Sequence, residues 1–68
     1  MRKLAAHRVE TPTEVIHLGV VVINDGIVED CFSFSGEMPF TEWLGGTIVV
    51  RHDDKGRLRA FQDGVMLE

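Results

Sequence analysis

This sequence of 68 residues contains a single cysteine, Cys31. A lone thiol cannot form an internal disulfide, so a reducing compartment is the simpler interpretation. The chain lacks a run of roughly 20 apolar residues, which a membrane helix would need. No apolar stretch of signal-peptide length follows its basic residues 2–3. We therefore expect a cytoplasmic protein with no membrane partner.

Positive charge is also limited. Seven lysines and arginines stand against eleven aspartates and glutamates, which gives a formal net charge of -4. Because a nucleic-acid-binding surface needs a basic patch, no nucleic-acid partner is expected. Hydrophobic residues make up 44% of the chain, which is typical of a globular domain rather than a disordered one. We expect a single domain, 1–68, near the lower size limit for a self-sufficient core.

The strongest structural pattern is a run of β-branched residues that leads into a glycine-containing turn. Residues 20–23 (VVVI) favour a strand, and they are apolar at every position rather than alternating. Such a strand is covered on both faces, as in a sandwich or a closed barrel. The run therefore predicts the central strand of a β-hairpin.

The turn that follows this strand admits two registers. Asn24, Asp25 and Gly26 favour a three-residue loop with Gly26 in the left-handed conformation, which sets Ile23 opposite Ile27. A two-residue loop at Asp25 and Gly26 is the alternative. The sequence leaves the register open.

Further short strands are predicted on both sides of this hairpin. Residues 4–9 mix polar and apolar side chains, which suits an edge strand, and residues 14–18 form a second extended piece before a bend at Gly19. Beyond the hairpin, strands are expected at 47–51, 57–61 and 65–67. Turns between them are expected at the following residues: Asp53, Asp54, Lys55, Gly56, Gln62, Asp63 and Gly64.

These elements predict an all-β fold, namely a small β-sandwich or partly open barrel of about six or seven short strands built from hairpins. The predicted core consists of Val20, Val22, Val28, Ile48, Val50 and Leu58. Residues 33–46 interrupt the strand pattern and are predicted to be a crossover loop with at most one helical turn, opened by Pro39 or Thr41. Within this loop Phe40, Trp43 and Leu44 are the candidate interface, since aromatic residues are enriched at protein contacts. We expect the same three residues to fold over one end of the sandwich.

Two stretches resemble the opposite ends of enzymes of the amidohydrolase superfamily. The first comprises residues 6–12 (AHRVETP), 15–16 (VI) and 19–28 (GVVVINDGIV), and the second comprises 46–51 (GTIVVR) with Asp53, Gly56, Arg59 and 63–65 (DGV). In that family the two ends meet as a small composite β-sandwich beside the catalytic barrel. In this chain residues 33–46 stand where the barrel would be.

The resemblance implies a free-standing composite domain without the family's hydrolase activity. The metal ligands of the family, including a His-x-His pair, lie in the absent barrel, and this sequence contains no His-x-His motif. None of the catalytic residues carries over, so neither a cofactor nor enzyme activity is expected.

The remaining chemically capable residues have simpler explanations. His7, His17 and His52, with Asp53 and Asp54, would be metal ligands only if the fold brought them together, and their spacing does not require this. Cys31 is expected to be an inert, half-buried thiol, since no histidine lies near it in sequence to activate it.

Two classes of function follow from these observations. The first is a non-catalytic β module that acts through contacts with itself, as a homo-oligomer, or with another protein chain, because its small core would gain from association. The alternative is a small ligand-binding or metal-binding protein, or an enzyme, that uses a cleft near Trp43 and the histidines.

Overall fold

A computed structural model describes residues 1–36 and 38–68 of the chain, and within these ranges it contains seven β-strands and no helix. The all-β prediction of six or seven short strands is therefore confirmed. The strands are β1 (Arg2–Glu10), β2 (Val15–Asn24), β3 (Ile27–Ser33), β4 (Thr41–Trp43), β5 (Thr47–His52), β6 (Leu58–Gln62) and β7 (Val65–Leu67).

All seven strands belong to one mixed sheet with the order β3-β2-β1-β5-β6-β7. Strand β1 has two parallel neighbours along one edge, with residues 3–5 pairing with β4 and residues 8–10 pairing with β5. The other pairings are antiparallel. The sheet curls until β3 approaches β6, but these two strands are not paired, so it does not close into a barrel.

Strand β1 lies at the centre of the sheet, so the prediction of an edge strand at residues 4–9 was wrong. Leu4, Ala5, Ala6 and Val9 are all completely buried. The mixture of polar and apolar side chains had indicated partial exposure of this strand. In the fold these four residues are buried because β1 has neighbours along both of its edges and its two faces are covered.

Five of the six predicted core residues are buried, namely Val20, Val22, Val28, Ile48 and Val50. Val28, Ile48 and Val50 belong to the main core cluster, whereas Val20 and Val22 are buried outside it and Leu58 is partly buried against it. Residues 20–23 are all buried, as the lack of alternation predicted.

The central turn contains two residues, so the favoured three-residue loop was wrong. Asn24 is the last residue of β2 and pairs with Ile27, which leaves Asp25 and Gly26 as the loop. Both loop residues have positive φ, 52° and 76°. This is the type I′ geometry, whose twist matches that of the flanking strands.

Glu29 is the extra residue of a β-bulge in β3. Ile23 lies opposite Val28, whereas Val22 lies opposite Asp30. Without the bulge, Glu29 would pair with Val22, and Asp30 would lie opposite Val21 and point into the core, because successive residues of a strand face opposite sides. The bulge therefore avoids the cost of burying an unpaired charge.

Two further hairpins, β5–β6 and β6–β7, also turn at glycines with positive φ. Asp63 and Gly64 form a second two-residue loop with φ values of 51° and 80°. Gly56 has φ of 78°, and its N–H donates to the Asp53 carbonyl across the turn between β5 and β6. The structure thus places Gly56, Asp63 and Gly64 at turns, as predicted, whereas Gln62 is the last residue of β6.

The crossover loop contains a strand rather than a helical turn. Residues 41–43 form β4, which pairs with β1, and Phe40 precedes it with a positive φ of 58°. Pairing with β1 satisfies backbone groups that an isolated turn of helix would leave to water. The absence of helix in the described part of the loop agrees with the predicted limit of one helical turn, but strand β4 was not predicted. Glu37, also in this predicted loop, lies outside the described residues.

Candidate functional site

A row of side chains crosses four strands on the outer face of the sheet, which is the face that points away from the core cluster. Trp43 pairs with Ala5, Ala5 with Val20, and Val20 with Phe32. Directly opposed residues point to the same face, so the two aromatic residues flank the two small ones. Ala5 and Val20 are completely buried, although they lie outside the main core cluster.

Trp43 is packed on one side and exposed on the other. Its ring meets the ring of His7 edge-on at 4.8 Å between centroids, and that of Phe34 at 6.5 Å. Even so, the Trp43 residue is 53% exposed. We refer to the neighbouring rings of Phe34 and Trp43, together with Phe40, which lies three residues before Trp43 in the chain, as the aromatic surface.

The three predicted interface residues have different environments. Leu44 is partly buried against the core, and its N–H donates to the Ala5 carbonyl at 2.8 Å. Phe40, in contrast, is 95% exposed, because the positive-φ turn before β4 points it away from the sheet. The sequence had led us to expect that Phe40 covers the end of the sheet, and it does not. Leu44, in contrast, packs against the core.

The described residues form a cleft elsewhere, at the gap where the sheet fails to close. This cleft has a volume of about 270 Å³ and lies between β3, the ends of β5 and β6, and the turn at residues 11–14. Its apolar lining comes from Val28, Val50 and Leu58. We call it the β3–β6 cleft. Of the residues near which a cleft was expected, Trp43, His7 and His17 do not line it, whereas His52 does.

The polar lining of the β3–β6 cleft is largely acidic. Glu14, Glu29 and Asp30 line it, together with His52 and Cys31. Sequence analysis did not identify the acids as a group, because they come from a turn and a strand that are brought together only by the curl of the sheet. Their only sequence signal was the pair at residues 29–30 after the central hairpin.

The three histidines have different environments in the fold. His7 packs against Trp43 and accepts a hydrogen bond at Nδ1 from the Gly46 N–H, at 3.2 Å. His17 lies opposite Arg8, and His52 lines the cleft. Among residues 1–36 and 38–68, no group of three or more histidine, cysteine, aspartate or glutamate side chains is placed to hold a metal ion.

Asp53 organises the turn between β5 and β6. Its Oδ1 accepts hydrogen bonds from the N–H groups of Arg57 and Lys55, and its Oδ2 accepts one from Arg59 Nε at 3.2 Å. The Arg57 N–H, the Lys55 N–H and the Arg59 side chain together lower the pKa of Asp53 to about 2. Arg59 in turn donates from Nη1 to the Gly26 carbonyl at 3.0 Å, which links two separate hairpin turns.

Cys31 lies in the cleft as a half-buried thiol. Burial raises its pKa to about 11, and the nearby carboxylates of Asp30 and Glu14 add to this effect. Since the thiolate is the reactive form, this environment opposes nucleophilic chemistry.

We expect Cys31 to react slowly with iodoacetamide. A rise in thiol pKa from 9.0 to about 11 lowers the thiolate fraction at pH 8 by about a hundredfold. The alkylation rate of the folded protein should therefore be about a hundredfold below that of the same protein unfolded in urea. Mass spectrometry over a time course measures both rates, and similar rates would contradict the buried environment.

Comparison of the chain with family models, with curated proteins and with solved structures found no match. In the part of the chain that the structure describes, no helix is long and apolar enough to cross a membrane.

Proposed function

We propose that this chain is a non-catalytic β module of the cytoplasm that acts through protein–protein contacts, with the aromatic surface as its contact region and a second copy as its partner. The observation that carries the proposal is the exposure of two large aromatic side chains close together in sequence, Phe40 at 95% and Trp43 at 53%. Exposed apolar area costs roughly 25 cal/mol per Å² relative to burial. Aromatic residues grouped on a surface are typical of interfaces.

The resemblance to the amidohydrolase composite domain supports the same proposal. In the enzymes that the chain resembles, one side of the composite sandwich packs against the catalytic barrel. Residues 33–46 replace that barrel here, and they carry Phe40 and Trp43. A second copy of the chain would cover apolar surface that the family covers with its catalytic domain.

We expect the wild-type protein to form an oligomer at high micromolar concentration and the Trp43→Ser variant to shift toward monomer. The serine removes the central aromatic group of the proposed contact, and such groups supply much of the binding energy at interfaces. Size-exclusion chromatography with light scattering measures the mass. Circular dichroism must show that the variant remains folded, because Trp43 also packs against His7.

Val65→Ser is the matched control for this experiment. Val65 is also apolar and 65% exposed, but it lies in β7, away from β4 in the sheet order. Its variant should keep the wild-type mass. A wild-type protein that stays monomeric throughout the concentration range would reject self-association as the function of the aromatic surface.

A further inference from the structure

The β3–β6 cleft has the shape and polarity of a site for a single side chain. Its volume of about 270 Å³ is just below the range of roughly 300–1,000 Å³ that is usual for small-molecule sites. The apolar residues Val28 and Val50 that line it belong to the core cluster, and Leu58 packs against that cluster. An apolar group that entered the cleft would therefore extend the core of the domain.

The acids that line the cleft are not neutralised within the described residues. Glu29 accepts a hydrogen bond from the Asn24 amide at 3.3 Å, and Asp30 accepts one from the Cys31 N–H at 2.8 Å. All four ion pairs found in residues 1–36 and 38–68 use other acids, namely Glu10, Glu42 and Asp53. The cleft thus combines an apolar floor with uncompensated negative charge from Glu14, Glu29 and Asp30.

We infer that the β3–β6 cleft binds an extended segment of a partner protein in which one aliphatic side chain is flanked by lysine or arginine residues. The aliphatic side chain fits the apolar floor, where it is removed from water. The flanking cations lie against the carboxylates, which attract basic partners and reject acidic ones. This inference rests on the proposed role in protein contacts, and it names a second surface and a class of partner distinct from another copy.

The partner segment is favoured over an isolated organic cation by the arrangement of the two features. A cation alone would pair with the acids but leave the apolar floor open to water. An aliphatic residue flanked by lysine or arginine fills the apolar floor and also brings cations to the carboxylates. The polypeptide backbone holds the anchoring side chain and the charges at fixed spacing.

The direct test is an NMR titration of the isotope-labelled protein with a capped Lys-Leu-Lys peptide. We expect saturable shifts in the amide signals of Val28, Cys31 and His52, which line the cleft. A Lys-Ala-Lys peptide tests the apolar floor and should bind several times more weakly, and a Glu-Leu-Glu peptide should not bind. If Lys-Leu-Lys causes no shifts at millimolar concentration, the inference is wrong. If spermidine gives the same shifts with equal affinity, the site is one for organic cations instead.

A pair of double variants separates the cleft from overall charge. Glu14→Gln with Glu29→Gln removes two negative charges from the cleft, and the glutamine at 29 keeps an acceptor for Asn24. Asp63→Asn with Glu68→Gln removes two charges at exposed positions that do not line it. The first pair should weaken Lys-Leu-Lys binding about three- to tenfold, since exposed ion pairs are individually weak, and the second should leave it nearly unchanged. Equal weakening by both pairs would show that only net charge matters. Because neither pair touches the aromatic surface, the result is independent of self-association.

Discussion

The Leu4→Ala variant should lose a large part of the free energy of unfolding, about half of it. Leu4 is completely buried in the core cluster, at the centre of the sheet in β1. Truncation of a buried leucine to alanine costs about 2–5 kcal/mol, because it removes apolar contacts and leaves a cavity. A domain of this size has a total unfolding free energy of about 3–10 kcal/mol. Urea denaturation followed by circular dichroism should therefore show a much lower midpoint, or a variant that is largely unfolded without denaturant.

Leu18→Ala is the matched control, since the same side chain is removed from a position that is 43% exposed. We expect Leu18→Ala to lower the free energy of unfolding by less than about 1 kcal/mol, because truncation of a partly exposed leucine leaves less of a cavity. Equal losses for the two variants would mean that β1 is not the buried centre of the sheet.

The second large effect is expected for Gly26→Ala, compared with Gly64→Ala. Both glycines close two-residue turns after an aspartate, and their φ values are nearly equal, 76° and 80°. Alanine in this left-handed region costs about 1–2 kcal/mol at either site. Only at Gly26 would the added Cβ lie 2.7 Å from Arg59 Nη1, the atom that donates to the Gly26 carbonyl.

The Arg59 guanidinium has little freedom to move aside, since Arg59 Nε is bonded to Asp53 and the side chain is only 16% exposed. Loss of its bond to the Gly26 carbonyl should add about 1 kcal/mol. We therefore expect the free energy of unfolding to fall by about 2–3 kcal/mol for Gly26→Ala and by about 1–2 kcal/mol for Gly64→Ala. Urea denaturation measures both.

A double-mutant cycle with Arg59→Ala tests the cause of this difference. In that background the two glycine substitutions should cost nearly the same, because the atom in conflict has been removed. If Gly26→Ala still costs more, the excess arises in the turn itself and not from its link to the second hairpin.

The proposed contact regions lie on different sides of the curled sheet. Trp43 pairs with Ala5 on the outer face, whereas the β3–β6 cleft leads to Val28 and Val50 of the core. Successive residues of a strand point to opposite faces, and this alternation places Leu4 in the core and Ala5 beneath the aromatic row. One partner on each surface is therefore compatible with the geometry.

The sequence by itself determined the features that depend on local conformational preference. The unbroken β-branched run at 20–23 indicated a strand buried on both faces, and the Asp-Gly pairs indicated turns with left-handed residues. Both follow from side-chain shape and from the φ range that glycine allows. Most of the core followed from these local signals. The strand count agreed only in total, because the predicted pieces at 14–18 and 20–23 form one strand, β2, and β4 was not predicted.

Tertiary structure alone decided what depends on partners distant in the chain. β1 became a central strand because β4 and β5 pair along one edge and β2 along the other, and no pattern within residues 2–10 encodes those neighbours. The same holds for Thr41–Trp43, which is a strand only because β1 supplies its hydrogen bonds. The bulge at Glu29 arises because the two-residue turn fixes the register, and the core on one face then excludes Asp30. The cleft exists because the sheet curls without closing, a property of the whole sheet that no single strand carries.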